Sequence, residues 1–156
     1  MPDYWVVNAS PIITLAKIAR LDLLESPDHE LWVPEAVVVE ILAGPQDDPA
    51  RQAIDGWKVN SPSPTIPADI LEWGLGSGES SVITLARETK GIAILDDAEG
   101  RACAQTLGVR VLGRQFDHML GRPGVQQHRR PVLLAPLQRP LMPRVGDRHL
   151  LPRRIR

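Results

Sequence analysis

GIAILDDAEGRACAQTLGVRVLG, residues Gly91 to Gly113, decides how this chain is read. Ile92 to Leu95 is an unbroken apolar run, the pattern of a short strand covered on both faces, as in a parallel sheet. Asp96 and Asp97 follow at once. From Asp97 to Leu107 the pattern turns helical, with Ala98, Ala102, Cys103 and Leu107 on one side. Gly108 stops that helix, and Val109 to Leu112 reads as the next strand. The stretch is one β-α-β crossover. Ligands of open parallel sheets bind outside the carboxyl ends of the strands, which is where both acids would stand. The plainer role for one of them is to cap the helix.

Upstream the same alternation repeats. Tyr4 to Val7 reads as the first strand, which places Asn8 at its carboxyl end, with Ser10 as a helix cap and Pro11 at the first helical position. Ile12, Leu15, Ala16, Ala19 and Leu23 continue the stripe of a core-facing helix. Leu31 to Val33 forms a short strand, and Pro34 opens a helix that runs through Ala43 until Gly44 and Pro45 end it. Asp48 to Ile54 reads as a helix and Trp57 to Val59 as a strand. The run SPSPTIP, Ser61 to Pro67, is a loop. A helix from near Gly78 to about Thr89 feeds the strand at Ile92. Strands alternating with helices predict an α/β fold, a three-layer α/β/α sandwich with a mainly parallel sheet.

The 156 residues suit one such domain. The start, MPDYWVV, lacks the basic region of a secretory signal, and no apolar run approaches the roughly eighteen residues of a membrane span. A lone cysteine, Cys103, forms no internal disulfide and fits a reducing cytoplasm. His29, His118, His128 and His149 have no metal-ligand spacing, which argues against zinc. The formal net charge of -1 conceals a division. From Arg114 onward there are ten arginines and two acids, with no Lys or Glu and with frequent Pro. Residues 1–113 hold 17 acids against 8 bases.

Two further acids stand out. Glu40 is the sole charge between Ala36 and Ala43, and its helical neighbours are Ala36, Val37, Ala43 and Gly44. Glu79 lines up with Val82, Ile83 and Ala86, although it also suits the helix amino end electrostatically. Either acid alone is compatible with a purely structural role. Two carboxylates ~4 Å apart repel by about 4 kcal/mol at an effective dielectric near 20, so acids that converge require a cation or a shared proton. Oxygen-only donors suit Mg2+ or Mn2+, and such an ion would ready water for attack on a phosphodiester.

Four segments, VVNASPIITLAKIARLDLL, VPEAVVVEILAG, GSGESSVITLA and AILDDAEGRACAQTLGVRVLG, resemble in order the motifs of the PIN domain. The resemblance covers about residues 4–113 and is closest to a prokaryotic branch whose first motif reads Asn-x-Ser-Pro. It implies an α/β/α fold and a Mg2+- or Mn2+-dependent ribonuclease of the VapC-like type, the toxin of a toxin-antitoxin pair, with RNA as substrate. A cognate antitoxin protein and a homodimer belong to the same implication. By motif, Asn8, Glu40, Glu79 and Asp97 take the four acidic positions with Asp96 beside them. Glu40, Glu79 and Asp97 are the candidate catalytic residues, the five together are the candidate metal ligands, and Ser10 orients the first motif.

Asn8 stands where the family usually has Asp. A neutral amide oxygen binds Mg2+ less well, so lowered or absent activity is expected. The competing function is then a catalytically degraded PIN-like module that binds RNA or a protein partner. The Arg- and Pro-rich residues 114–156 read as an irregular tail, with a shifted reading frame near Gly113 as one explanation and a basic arm for RNA phosphates as the other. A receiver domain fits poorly, because after Asp97 only Asp117 and Asp147 could accept a phosphoryl group and no Lys follows. Gly74 to Gly78, GLGSG, lacks the Gly-Lys-Ser/Thr of a phosphate-binding loop.

Overall fold

The computed structural model describes residues 3–113; the predicted tail at 114–156 lies outside them. Four short strands, β1 (Asp3–Val7), β2 (His29–Trp32), β3 (Ile92–Ile94) and β4 (Arg110–Leu112), pair in the order β2-β1-β3-β4, all parallel. Consecutive strand residues point to opposite faces, yet Val6 and Val7 are both fully buried, as are their neighbours Ala93 and Ile94 on β3. Both faces of the sheet are therefore covered, and the architecture is the α/β/α sandwich expected from sequence.

The covering helices are α1 (Ala9–Lys17), α2 (Glu35–Leu42), α3 (Pro49–Gly56), α4 (Ala68–Leu71), α5 (Ser77–Thr89) and α6 (Ala98–Thr106). The longest, α5, is buried from Ser80 to Ala86 and packs on β1 and β3 while also meeting α2 and α6. Its end is abrupt: Lys90 takes the left-handed conformation, and Gly91 lies so tightly against the Tyr4 backbone that a side chain has no room there.

Several boundaries differ from the sequence reading. The first strand runs straight into α1, so Asn8 is the residue flanking the helix and Ser10 lies inside its first turn. The Asn8 side chain makes no capping bond, and the backbone N–H of Asn8 donates to Ile94 O at 3.1 Å, within the sheet. The expected stripe to Leu23 breaks because Ala19 adopts a positive φ of 54° and Leu21–Leu24 forms a separate 3-10 turn. On α6 the inward residues are Gly100, Cys103 and Ala104, whereas Ala98 and Ala102 are exposed. Trp57 to Val59 is not a strand. Instead Asn60 forms one parallel bridge to Trp32, and the carbonyls of Asn60 and Pro62 accept from Val33 N at 2.9 Å and Glu35 N at 3.1 Å. The chain thereby lies along the free edge of β2. Helix α4, only four residues long in a proline-rich stretch, was too short to show a period.

From β1 the chain steps to one side to make β2, then crosses back beyond β1 to make β3 and β4. The reversal falls between β1 and β3. In parallel sheets this is where loops diverge to opposite faces and leave a crevice at the carboxyl ends.

Candidate metal and nuclease centre

Asn8 leaves β1 and Asp96 and Asp97 lie just past β3, so the two adjacent strands that flank the reversal deliver all three to one end of the sheet. Asn8 is 5% exposed, and its Oδ1 is a fully buried oxygen with no hydrogen-bond donor among the described residues. A buried, unpaired carbonyl oxygen costs free energy and needs a reason to persist.

Two further contributions come from helices. Gly78, in the first turn of α5, faces α2 so closely that a β-carbon would stand 2.8 Å from Glu40 Oε2, 3.1 Å from Asn8 Oδ1 and 3.4 Å from Val37 Cγ2. The glycine is thus what allows the amide of Asn8 and the carboxylate of Glu40 to approach one point. Glu40 is otherwise solvent-exposed, on the outer side of a helix held by Val37 and Ile41.

Glu79 follows Gly78 and accepts from Gly76 N at 3.3 Å, half of a capping box whose other half a glycine cannot supply. Its proton affinity is raised, first by burial and then by the charges of Asp97, Glu40 and Glu99, while the Gly76 N–H opposes the shift. Acids of α2 and of the start of α6 therefore act on Glu79 of α5. Asp97 also caps α6 by accepting from Gly100 N at 2.8 Å through Oδ2. The capping role is real, and it leaves Oδ1 free of that bond.

Sequence reasoning did not single out Glu99, in the first turn of α6, or the clearance supplied by Gly78. The signal for Glu99 was its place two residues past Asp97 at a helix start, where both side chains can face the same end of the sheet. The side chains of Asp96 and Ser10 form no hydrogen bond among the described residues. Asp96 is exposed and its backbone carbonyl accepts from the Arg101 guanidinium; Ser10 is exposed in α1. Among the described residues, no three His, Cys, Asp or Glu side chains stand close enough to grip an ion. The two oxygens that converge over Gly78 are an amide and a carboxylate.

A family model described as PIN domain matches residues 4–115. The chain belongs to the PIN domain family. That membership points to nuclease chemistry, nucleic-acid binding and dependence on a divalent metal in general terms. The oxygen-only donors of this PIN domain, and the orphaned Asn8 Oδ1 in particular, fit a hard divalent cation. No curated protein matches the chain. Among solved structures, the PIN domain is similar to the crystal structure of PAE2754 from Pyrobaculum aerophilum, with 15% identity, 78% of this chain and 100% of that chain covered, and a TM-score of 0.48. No helix among the described residues is long and apolar enough to cross a membrane.

Proposed function

We propose that this PIN domain is a ribonuclease that hydrolyses RNA phosphodiester bonds with Mg2+ or Mn2+. Its biological role in this reading is that of a cytoplasmic toxin, a homodimer neutralised by a cognate antitoxin protein. The observation that carries the nuclease reading is the buried, unpartnered Asn8 Oδ1 beside Glu40 Oε2 over the bare α-carbon of Gly78. An oxygen kept dry and unpaired in this way suits a ligand that supplies positive charge.

Asn8, Glu40, Glu79 and Asp97 hold the ion in this proposal, with Asp96 in reserve beside them. When bound, such an ion neutralises phosphate charge and lowers the pKa of a coordinated water. A carboxylate of this set takes the water's proton as the water oxygen bonds to phosphorus and the bond to the leaving ribose oxygen breaks, and solvent protonates the departing oxygen. Glu40 and Asp97 fix the geometry from α2 and α6, and Ser10 orients the strand-to-helix turn.

The neutral side chain at position 8 favours one second reading, a catalytically degraded PIN-like module that binds RNA or a protein partner. Incubating a mixed RNA pool with purified protein and Mg2+, Mn2+ or EDTA separates the two, run alongside Glu40→Ala and Asp97→Ala. Metal-dependent cutting lost in both variants supports the nuclease. A folded protein that binds RNA without cutting it supports the module. Growth arrest on expression, relieved by a neighbouring gene's product, tests the toxin role separately.

A further inference from the structure

Arg101 is a cation in an unfavourable place. It lies one turn into α6 from the capping residue, its N–H donating to Asp97 O at 3.1 Å. Its guanidinium folds back past the amino end of the helix and donates to the backbone carbonyl of Asp96. The helix dipole disfavours positive charge there. Asp96, Asp97 and Glu99 all lie within five residues of it in the chain. Arg101 nevertheless enters no ion pair among the described residues, whose pairs are Arg20–Asp22, Arg87–Asp69 and Arg110–Asp3. The guanidinium goes to main chain and leaves the carboxylates unpaired.

The stem is held as closely as the head. A β-carbon on Gly113, the residue after β4, would stand 2.7 Å from Arg101 Cδ and 2.8 Å from Leu95 O. The bare α-carbon of Gly113 therefore leaves the slot through which Arg101 passes beside the end of β3, and Arg101 is half-buried there. On the other side Asn8 N donates to Ile94 O at 3.1 Å. The turn from Ile94 to Asp97 is thus gripped from β1 by Asn8 and from α6 by Arg101.

The carbonyl of Asp96 and the N–H of Asp97 belong to one planar peptide group, so a bond to that oxygen restrains the plane from which Asp97 departs. Asp97 Oδ2 is in turn committed to Gly100 N at 2.8 Å, which orients the carboxylate from the helix side. We infer that Arg101 is a positioning residue: by locking the Asp96–Asp97 peptide it holds the Asp97 carboxylate in place for a divalent cation, without pairing with the acids itself. The inference rests on the metal-dependent nuclease reading. Groups that fix a metal ligand from behind are worth about 10- to 100-fold in metal affinity.

The test uses the full chain, so that the ten arginines from Arg114 onward, which lie outside the described residues, are common to every variant. Mn2+ binding is read by calorimetry, and for the weakest variants by electron paramagnetic resonance of free Mn2+; thermal melts in EDTA report folding. Arg101→Met keeps an apolar stem beside Gly113 and removes the donors, and is expected to fold and to bind Mn2+ about 10- to 100-fold more weakly. Arg101→Lys keeps the charge without the planar fork and should lose less, about 3- to 10-fold. Arg110→Ala removes a guanidinium–carbonyl bond of 2.9 Å, to Lys90 O at the other end of the sheet, and should leave Mn2+ affinity unchanged.

The deciding readout is the double variant, because a residue that acts through Asp97 has nothing left to position once that carboxylate is gone. Adding Arg101→Met to Asp97→Ala should then change Mn2+ affinity by no more than about twofold. A full further loss in the double variant overturns the inference, as does an equal loss in Arg110→Ala. An Arg101→Met that binds Mn2+ like wild type, where Asp97→Ala does not, also overturns it and leaves the metal centre standing. A folded wild type that binds no Mn2+ removes the metal-dependent reading and the inference with it. Should Arg101→Met fail to fold, Arg101→Lys decides by the same cycle, and a wild-type Mn2+ affinity in that variant overturns the inference.

Discussion

Gly78 sets its α-carbon against the end of the Glu40 side chain, leaving 2.8 Å where a β-carbon would need ordinary contact distance. The nearest obstructing atom is the tip of a flexible, exposed side chain, and the buried Asn8 Oδ1 at 3.1 Å need give by only a few tenths of an ångström, so Gly78→Ala should fold: displacement of Glu40 costs little, and Ala in place of Gly in a helix returns up to about 1 kcal/mol. The displaced carboxylate no longer meets Asn8 Oδ1. Thermal unfolding within a few degrees of wild type, together with Mn2+ binding weakened at least ~10-fold by calorimetry, is the expected pair of results.

Asn8→Asp restores a carboxylate to a buried oxygen already unpaired. Without metal the added charge sits near Glu40 and Glu79 and should lower stability in EDTA. With Mn2+ or Mg2+ present the order should invert, because metal binding to the folded state alone stabilises it by mass action. The measurement is the melting temperature of both proteins with and without metal; a variant more stable than wild type in EDTA would contradict the placement of this oxygen among acids.

Glu79 makes the metal-free domain sensitive to pH. Its folded-state pKa lies above the ordinary value of 4.5, so the folded form binds more protons than the unfolded form between the two values. Stability contributed by this group is present below about 4.5 and declines as pH rises through the folded value. Denaturant melts across that range in EDTA should show the decline, and Glu79→Gln should flatten it.

Asp97 has two roles that two substitutions separate. Asp97→Asn keeps an oxygen that can accept from Gly100 N, so stability should change by only a few tenths of a kcal/mol, whereas Asp97→Ala loses the cap at about 1 kcal/mol. Both should lose RNA cleavage, and both should lower the pKa of Glu79 as one neighbouring charge disappears. Urea melts, a cleavage assay and carboxyl NMR titration distinguish these effects.

The sheet and its switch point were legible because their signals are local. Apolar runs of three or four residues bounded by Asn8 and by Asp96 and Asp97 mark the strand ends, and Gly91 and Gly108 mark the turns. Legibility failed where tertiary contacts decided. Ser10 looked like a cap only because the sequence does not show that Asn8 N is committed to Ile94 O. Trp57 to Val59 has strand composition, yet only Asn60 bridges β2. The meeting of Glu40 with Asn8 across 32 residues depends on the absent side chain of Gly78, which no periodicity reveals. Ser10 and Asp96 took their place from motif position, and both are exposed, as Glu40 and Asp97 are.

The segment laid along β2 has a bearing on how the protein behaves in concentrated solution. Asn60 and Pro62 spend their carbonyls on Val33 and Glu35, and Pro62 and Pro64 carry no N–H to offer outward. A neighbouring molecule arriving at this rim meets a strip that cannot donate a regular ladder, so fibre growth by strand addition is blocked there by covalent chemistry rather than by charge.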